Sequence, residues 1–271
     1  MTADFPSIIY GTAWKEERTE ALTAAALAAG FRAVDTANQR KHYVEAAVGA
    51  AVAASGIPRA ALFLQTKFTH ADGQDHRLPF DPSAPPALQV AQSFASSLEH
   101  LGTDYVDSYV LHGPSLRDGF SDEDWEIWAA MGRLHRDGRA RHLGVSNVTL
   151  AHLEALFADA AAPKPTFVQN RCYARTGWDA AVRRFCRTHT LVYQGFSLLT
   201  ANRRELASPT VTRIAACVGR TPAEVIFRFA RHVGMVPLTG TSDPRHLQED
   251  LAAVGDAFSL TDAEVAALDR V

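Results

Sequence analysis

The sequence predicts a single α/β domain over residues 1–271, folded as a (β/α)8 TIM barrel. Three observations carry that expectation. Short apolar runs alternate with longer helical patterns along the chain, the mark of successive βαβ units and a parallel sheet. There are eight such runs, the number at which a parallel sheet of this kind closes on itself. Three consecutive runs also end on an ionisable side chain, and in a closed parallel barrel those ends share one rim.

The runs, in order, are SIIYG (7–11), FRAVDTA (31–37), LFLQTKF (62–68), YVDSYVLH (105–112), HLGVSN (142–147), TFVQNRC (166–172), TLVYQGFS (190–197) and MVPLTGT (235–241). The intervening helices carry start and stop signals. Ser121 with Asp124, and Thr221-Pro222 with Glu224, place an acceptor, a first-turn proline or a carboxylate where free N–H groups need them. Thr261 with Glu264 repeats the signal and predicts a short closing helix. Gly30, Gly56, Gly102 and Gly234 follow helical patterns where a left-handed cap falls. A helix is expected over 149–161, with Ser146 and Asn147 placed to cap it. Two connections are longer than a barrel needs, 69–86 and 113–120. Long loops on the rim of such a barrel commonly bind or cover a ligand.

Composition narrows the function. A chain of 271 residues, 47% of them hydrophobic, can bury a large core. The net charge is -3 and Lys and Arg are scattered, so no basic stripe for nucleic acid is present. No segment approaches the about 18 apolar residues of a membrane span, and MTADFPSIIYG lacks the pattern of a secretory leader. The three cysteines, Cys172, Cys186 and Cys217, form no CxxC pair and are odd in number. They argue for a reducing compartment and against a disulfide framework or a structural zinc site. The expectation is a cytoplasmic protein without a metal, and no apolar run demands a protein partner.

The strand-end residues are Asp35, Lys67 and His112, with Tyr43 in the polar turn after Asp35. A tyrosine ordinarily titrates near pKa 10, so as a proton donor at neutral pH it benefits from a nearby ammonium that stabilises its phenolate. Lys67 supplies one, and Asp35 would hold that ammonium charged by pairing with it. His112 adds a second group able to orient a substrate oxygen. The set suits protonation of an oxygen that gains negative charge, as when hydride attacks a carbonyl carbon. Side chains do not donate hydride, so a cofactor is implied. No GxGxxG follows any run, which disfavours a Rossmann site.

These segments, with GTAWK (11–15), EAAVG, LGTDYVDSYVLHGP (102–114), GVSNV (144–148), FVQN (167–170), YQGFSLLT (193–200) and 236–251, resemble the aldo-keto reductase superfamily through nearly the whole chain. The resemblance implies a (β/α)8 barrel holding NADPH or NADH across its C-terminal mouth and reducing an aldehyde or ketone. Tyr43 would be the acid, Lys67 and Asp35 would tune it, and His112 would orient the carbonyl. Ser146, Asn147 and Gln169 would hydrogen-bond the nicotinamide carboxamide, and Phe196 would stack on its ring. Gly11, Thr12 and Ala13 would border the cofactor. Ser197, Leu199 and Thr200 would follow the pyrophosphate, with Gly240, Thr241, Arg245, Glu249 and Asp250 toward the adenosine end. Trp14 and His42 would line the substrate pocket.

The chain departs from the family at two places. The usual tyrosine position, five residues after the aspartate, is Arg40, and Tyr43 comes eight residues after Asp35. Extra residues within NQRKH can be absorbed by the turn, and the neighbouring His42 is the competing candidate. The family's usual lysine and arginine for the adenosine phosphate are Gly240 and His246 here, with Arg245 one place off. A guanidinium at Arg245 matches a 2′-phosphate bidentately, which puts NADPH ahead of NADH. The chain ends soon after the Thr261 helix, so specificity is expected to rest on the loops 69–86 and 113–120, with an open pocket and broad acceptance of carbonyl substrates. Two other readings stay open: a Schiff-base aldolase or lyase with Lys67 as nucleophile, and a catalytically weak nicotinamide-binding sensor subunit.

Overall fold

Inward and outward positions alternate along each strand, and this chain uses that period to build one interior and one exterior core. The computed structural model describes residues 5–271; the first four residues of the N-terminal stretch discussed above lie outside it. All eight runs form strands: β1 (Ile9–Gly11), β2 (Ala33–Asp35), β3 (Phe63–Phe68), β4 (Val106–Leu111), β5 (Ala140–Ser146), β6 (Phe167–Arg171), β7 (Val192–Phe196) and β8 (Met235–Thr239). They pair in parallel in chain order, and β1 closes on β8 through Ile9↔Leu238 and Tyr10↔Thr239. Strand β5 begins earlier than the sequence indicated. β5 and β7 each end one residue short of the expected limit, because Asn147 and Ser197 adopt left-handed backbone with φ of 56°.

The outer layer comprises α1 (Thr19–Ala29), α2 (Glu45–Ala54), α3 (Pro86–Leu101), α4 (Asp122–Arg136), α5 (Leu150–Ala158) and α6 (Ala180–Thr188). It continues with α7 (Arg203–Leu206), α8 (Pro209–Val218), α9 (Pro222–His232), α10 (Pro244–Val254) and α11 (Asp262–Leu268). Reciprocal capping boxes at Ser121/Asp124, Thr221/Glu224 and Thr261/Glu264 start α4, α9 and α11, as the local signals require. Gly30, Gly56, Gly102 and Gly234 all have positive φ. The capping expected from Ser146 and Asn147 is corrected: Thr149 caps α5, accepting from the His152 N–H, while His152 Nδ1 accepts from the Thr149 N–H. The helix therefore starts at Leu150 and frees Ser146 and Asn147 for the barrel mouth.

Inside the barrel the side chains lie in layers. Phe5, Phe63, His142 and Phe167 close the lower end with edge-on ring contacts at centroid distances of 5.0 to 5.7 Å. Ile9, Ala33, Val236 and Leu238 fill the next level. Above them sit three buried glutamines, Gln65, Gln169 and Gln194. The outward strand positions, among them Tyr10, Tyr109 and Tyr193, join the larger core beneath the helices, which includes Trp128, Trp178, Phe227 and Phe229. Each such fully buried apolar side chain contributes roughly 1.5–3 kcal/mol. Helices α2 and α3 meet at Gly49, where an added Cβ would stand 2.0 Å from the His100 carbonyl oxygen. Among the described residues no helix is long and apolar enough to cross a membrane.

Candidate active site

The upper end of the barrel carries the four residues singled out by the sequence. Asp35 is the last residue of β2, Lys67 lies in β3, and His112 directly follows β4. Lys67 Nζ donates to Asp35 Oδ2 at 2.6 Å and to the Thr36 carbonyl at 2.8 Å. Asp35 Oδ1 accepts from Gln65 Nε2 at 2.7 Å and from Gln169 Nε2 at 3.0 Å. The same two amides donate to Gln194 Oε1, at 2.9 and 3.0 Å, and Gln194 Nε2 returns a bond to Gln65 Oε1 at 3.1 Å. Both carboxylate oxygens thus have donors, which a buried ion pair needs if it is not to cost more than it gains.

Tyr43 occupies the turn before α2, and that turn absorbs the extra residues. The Tyr43 N–H donates to the Gln39 carbonyl at 3.0 Å, and the Arg40 N–H donates to Gln74 Oε1 at 3.3 Å. Gln74 Nε2 in turn donates to the Asn38 carbonyl at 2.7 Å, and Gln39 Nε2 to the Gly73 carbonyl at 2.7 Å. The 69–86 loop therefore clamps the turn. So held, the Tyr43 ring lies with its centroid 5.2 Å from Lys67 Nζ and 6.0 Å from the His112 ring. His42 goes elsewhere: its imidazole stacks on Trp14 at a centroid distance of 3.5 Å, and its carbonyl accepts from the Trp14 N–H at 2.8 Å. The tyrosine, rather than His42, stands beside Lys67 and His112.

Burial dominates the electrostatics of this cluster. Desolvation, reinforced by the Asp35 charge, holds the Tyr43 phenol well above its ordinary value. Lys67 is paired with Asp35, as the sequence suggested it would be. Desolvation also lowers Lys67, opposed by Asp35. His112 is pushed down to about 3, first by burial and then by Lys67 and His42, so it is neutral at physiological pH. Its Nδ1 lies 2.7 Å from Thr69 Oγ1.

Asp35, Tyr43 and His112 face a cavity of about 760 Å³. It is lined by Trp14, His42, Tyr43 and His112, and by Ser146, Asn147, Gln169 and Phe196 from the ends of β5 to β7. From there the cavity continues past Ser197, Leu199 and Thr200 to Gly240 and Thr241, with Gly11 and Ala13 bordering it from β1. Asn147 is fixed by its Nδ2 donating to the His112 carbonyl at 2.7 Å. Gln169 spends its amide N–H groups on Asp35 and Gln194, which leaves its carbonyl oxygen for a ligand.

Several expected residues are not on the cavity wall. Thr12 is fully buried, with its hydroxyl donating to the Asp35 carbonyl at 2.9 Å; it braces β2 instead. Asp250 is buried and accepts from Thr239 Oγ1 at 2.6 Å, so it faces inward on α10 because its partner does. Exposed Arg245 pairs with half-buried Glu249 one turn on, 3.5 Å between Nε and Oε1, outside the cavity. Lys67 is 1% exposed and does not line the cavity. With its amine bonded to Asp35 and Thr36, it offers a carbonyl substrate no approach, and the Schiff-base reading has no support in the geometry.

The sequence reading missed Gln39, Arg171, Leu198, Phe227, Leu238 and Thr239, which also line the cavity. Arg171 was open to inference, since it shares the inward phase of Gln169 at the top of β6. Lys15 was missed as well. It is 6% exposed and its Nζ donates to the Gly240 carbonyl at 2.7 Å, placing a cation behind that rim. Burial, and secondarily Arg18, bring its pKa down to about 8.

The model of the aldo/keto reductase family matches residues 7–271. The chain belongs to that family. An aldo-keto reductase of Mycobacterium avium (strain 104) is 35% identical over 246 residues, covering 91% of this chain and 78% of that protein. One of Mycobacterium bovis is 32% identical over 252 residues, covering 93% and 80%. The crystal structure of an aldo/keto reductase from Brucella melitensis matches at a TM-score of 0.83 with 29% identity, covering 98% of this chain and 95% of that one. A deep-sea metagenome aldo-keto reductase, MGS-M4, shares the fold at a TM-score of 0.83 with 23% identity, covering 98% and 90%. As a family member the protein is an oxidoreductase on a (β/α)8 barrel, and the family generally binds nicotinamide cofactors.

Proposed function

We propose that the protein reduces an aldehyde or ketone to an alcohol with NADPH, in the cytoplasm. The observation that carries the reading is the placement of Tyr43, His112 and Asp35, with Lys67 paired behind Asp35, around a cavity that Ser146, Asn147, Gln169 and Phe196 also line. The donor set fits a nicotinamide. Ser146, Asn147 and the free Gln169 oxygen match a carboxamide, and Phe196 gives a ring to stack on. Lys15, behind Gly240 and Thr241, supports a phosphate chain along Ser197, Leu199 and Thr200. The free cysteines Cys172, Cys186 and Cys217 fit a reducing compartment.

When bound, the cofactor supplies hydride to the carbonyl carbon. The chain's residues handle the oxygen. Tyr43 is protonated at neutral pH and gives its hydroxyl proton to the oxygen as negative charge develops there, a contribution of about 10²–10⁴-fold in rate. Lys67 and Asp35 together present a net-neutral pair whose ammonium side stabilises the phenolate that remains. Neutral His112 orients the carbonyl, and Trp14 with His42 lines the space for the substrate's carbon skeleton. Arg245 is assigned to the 2′-phosphate.

The test is titration with NADPH followed by a panel of carbonyl compounds, repeated on Tyr43→Phe. The expected result is turnover of several aldehydes and ketones by the wild type, and a loss of about 10²-fold or more in kcat with cofactor affinity intact in the variant. Near-normal turnover by Tyr43→Phe removes the tyrosine as acid. Failure of the panel with NADPH and NADH alike removes the reading.

A further inference from the structure

Thr69 immediately follows β3 and has no part in the functions assigned above. Its Oγ1 lies 2.7 Å from His112 Nδ1. The threonine is 6% exposed, and among the described residues this is its hydroxyl's hydrogen-bond partner. A neutral imidazole carries one N–H, and a hydroxyl has one hydrogen to donate. With the ring hydrogen on Nδ1, that N–H would donate to Oγ1, and the hydroxyl hydrogen would be buried without an acceptor. With it on Nε2, the hydroxyl donates to the Nδ1 lone pair and the Nε2–H is left to the cavity that His112 lines. An unsatisfied buried donor of this kind biases the tautomer ratio by roughly ten- to a hundredfold.

We propose that Thr69 is a positioning residue that fixes His112 as its Nε2–H tautomer, so that the ring presents a donor, not an acceptor, to a carbonyl oxygen in the cavity. The use made of that donor rests on the carbonyl reductase reading; the tautomer does not. The surroundings hold both partners in place. An added Cβ at residue 73 would stand 2.8 Å from Thr69 Cγ2, so Gly73 is what leaves room for the side chain. Gln74 Nε2 donates to the Thr69 carbonyl at 3.4 Å, and the next residue, His70, lies with Nε2 2.9 Å from Asp124 Oδ1 on α4. On the other side, the His112 N–H donates to the Phe68 carbonyl at 2.9 Å and its carbonyl accepts from Asn147 at 2.7 Å. The Thr69 hydroxyl is the contact that distinguishes the two ring nitrogens.

The experiment reads the tautomer directly, in protein labelled with ¹⁵N-histidine, from long-range ¹H–¹⁵N spectra at neutral pH without substrate. The His112 signals are assigned by their loss in His112→Gln. The expected result is an Nε2–H imidazole in the wild type and in Thr69→Ser, and a population of the Nδ1–H form in Thr69→Val. Alongside, Thr69→Val is expected to lose about tenfold or more in kcat for carbonyl reduction at unchanged cofactor KM, with Thr69→Ser within about threefold of wild type. An Nδ1–H imidazole in the wild type, or an unchanged tautomer in Thr69→Val, overturns the proposal. Should Thr69→Val fail to fold, the wild-type spectrum decides alone. A protein that turns over no carbonyl substrate loses its proposed function but still answers the question about Thr69.

Discussion

Replacing Lys67 by methionine removes one half of the buried ion pair while keeping most of its volume, and the structure sets the size of the response. At 2.6 Å the two charges attract by about 6 kcal/mol at an effective dielectric constant of about 20. Most of that offsets the desolvation of both groups, so the pair as a whole adds little. Its disruption is a different matter. Lys67→Met leaves the Asp35 carboxylate 3% exposed, with Oδ1 still bonded to Gln65 and Gln169 but Oδ2 without its donor. Breaking a buried pair in this way costs about 3–5 kcal/mol. Asp35→Asn should cost a similar amount, because whichever way the amide turns, its NH2 meets either the Lys67 ammonium or the two glutamine donors. The double variant Asp35→Leu/Lys67→Met is expected to recover much of the loss, since no unpaired charge remains. Urea denaturation of the wild type, both single variants and the double variant measures this. If Lys67→Met unfolds within about 0.5 kcal/mol of wild type, a spread typical of uncoupled surface sites, the pair is not buried as described and the reasoning fails.

Other consequences are equally specific. Burial, the leading cause, raises the Asp250 carboxyl from its usual 3.8 to about 6, so the folded state holds a proton that the unfolded chain has released between those values. Stability contributed at low pH is therefore lost as pH rises from about 4 to 6. Asp250→Asn should stabilise the protein at pH 8 by up to about 3 kcal/mol and by almost nothing at pH 4; a melting-temperature gain that is the same at both pH values contradicts this. Gly49→Ala forces a methyl against the His100 backbone and should destabilise by about 1–3 kcal/mol or more, read by thermal unfolding; an unaltered melting temperature would show that α2 and α3 do not approach so closely. Arg245→Ala should raise the KM for NADPH about tenfold and leave that for NADH unchanged, the effect of losing one charge-assisted phosphate contact. Equal effects on both cofactors would place Arg245 away from the 2′-phosphate.

Much of the architecture was legible because each strand combines an apolar run with sharp turn chemistry, and because capping residues such as Thr221 and Glu224 act over three positions. The strand-end residues Asp35, Lys67 and His112 were legible for the same reason: period-2 alternation and the strand limit fix where they point. Tyr43 sits off the family spacing, and what brings it back is Gln74, a residue in a different loop. No local pattern announces that contact. The glutamine layer was likewise hidden, since Gln65, Gln169 and Gln194 come from β3, β6 and β7 and meet only when the barrel closes. Thr12 and Asp250 were misplaced because a sequence gives their proximity to the mouth but not the partners, the Asp35 carbonyl and Thr239, toward which they turn.

That glutamine layer also governs where protons can travel. Below Tyr43 the polar contacts run from Lys67 to Asp35 and then into Gln65, Gln169 and Gln194, and among the described residues beneath these lie Ile9, Ala33, Val236 and Leu238 and a floor of rings that includes the His142 imidazole. Carboxamides neither take up nor release protons near neutral pH, and an aliphatic layer conducts none. Among the described residues, the aliphatic level thus separates the glutamines from the floor. On the proposed mechanism, a proton given up by Tyr43 would be replaced through the mouth, so the same opening that admits the reactants would also recharge the acid, and anything that plugs it after turnover would delay the next cycle.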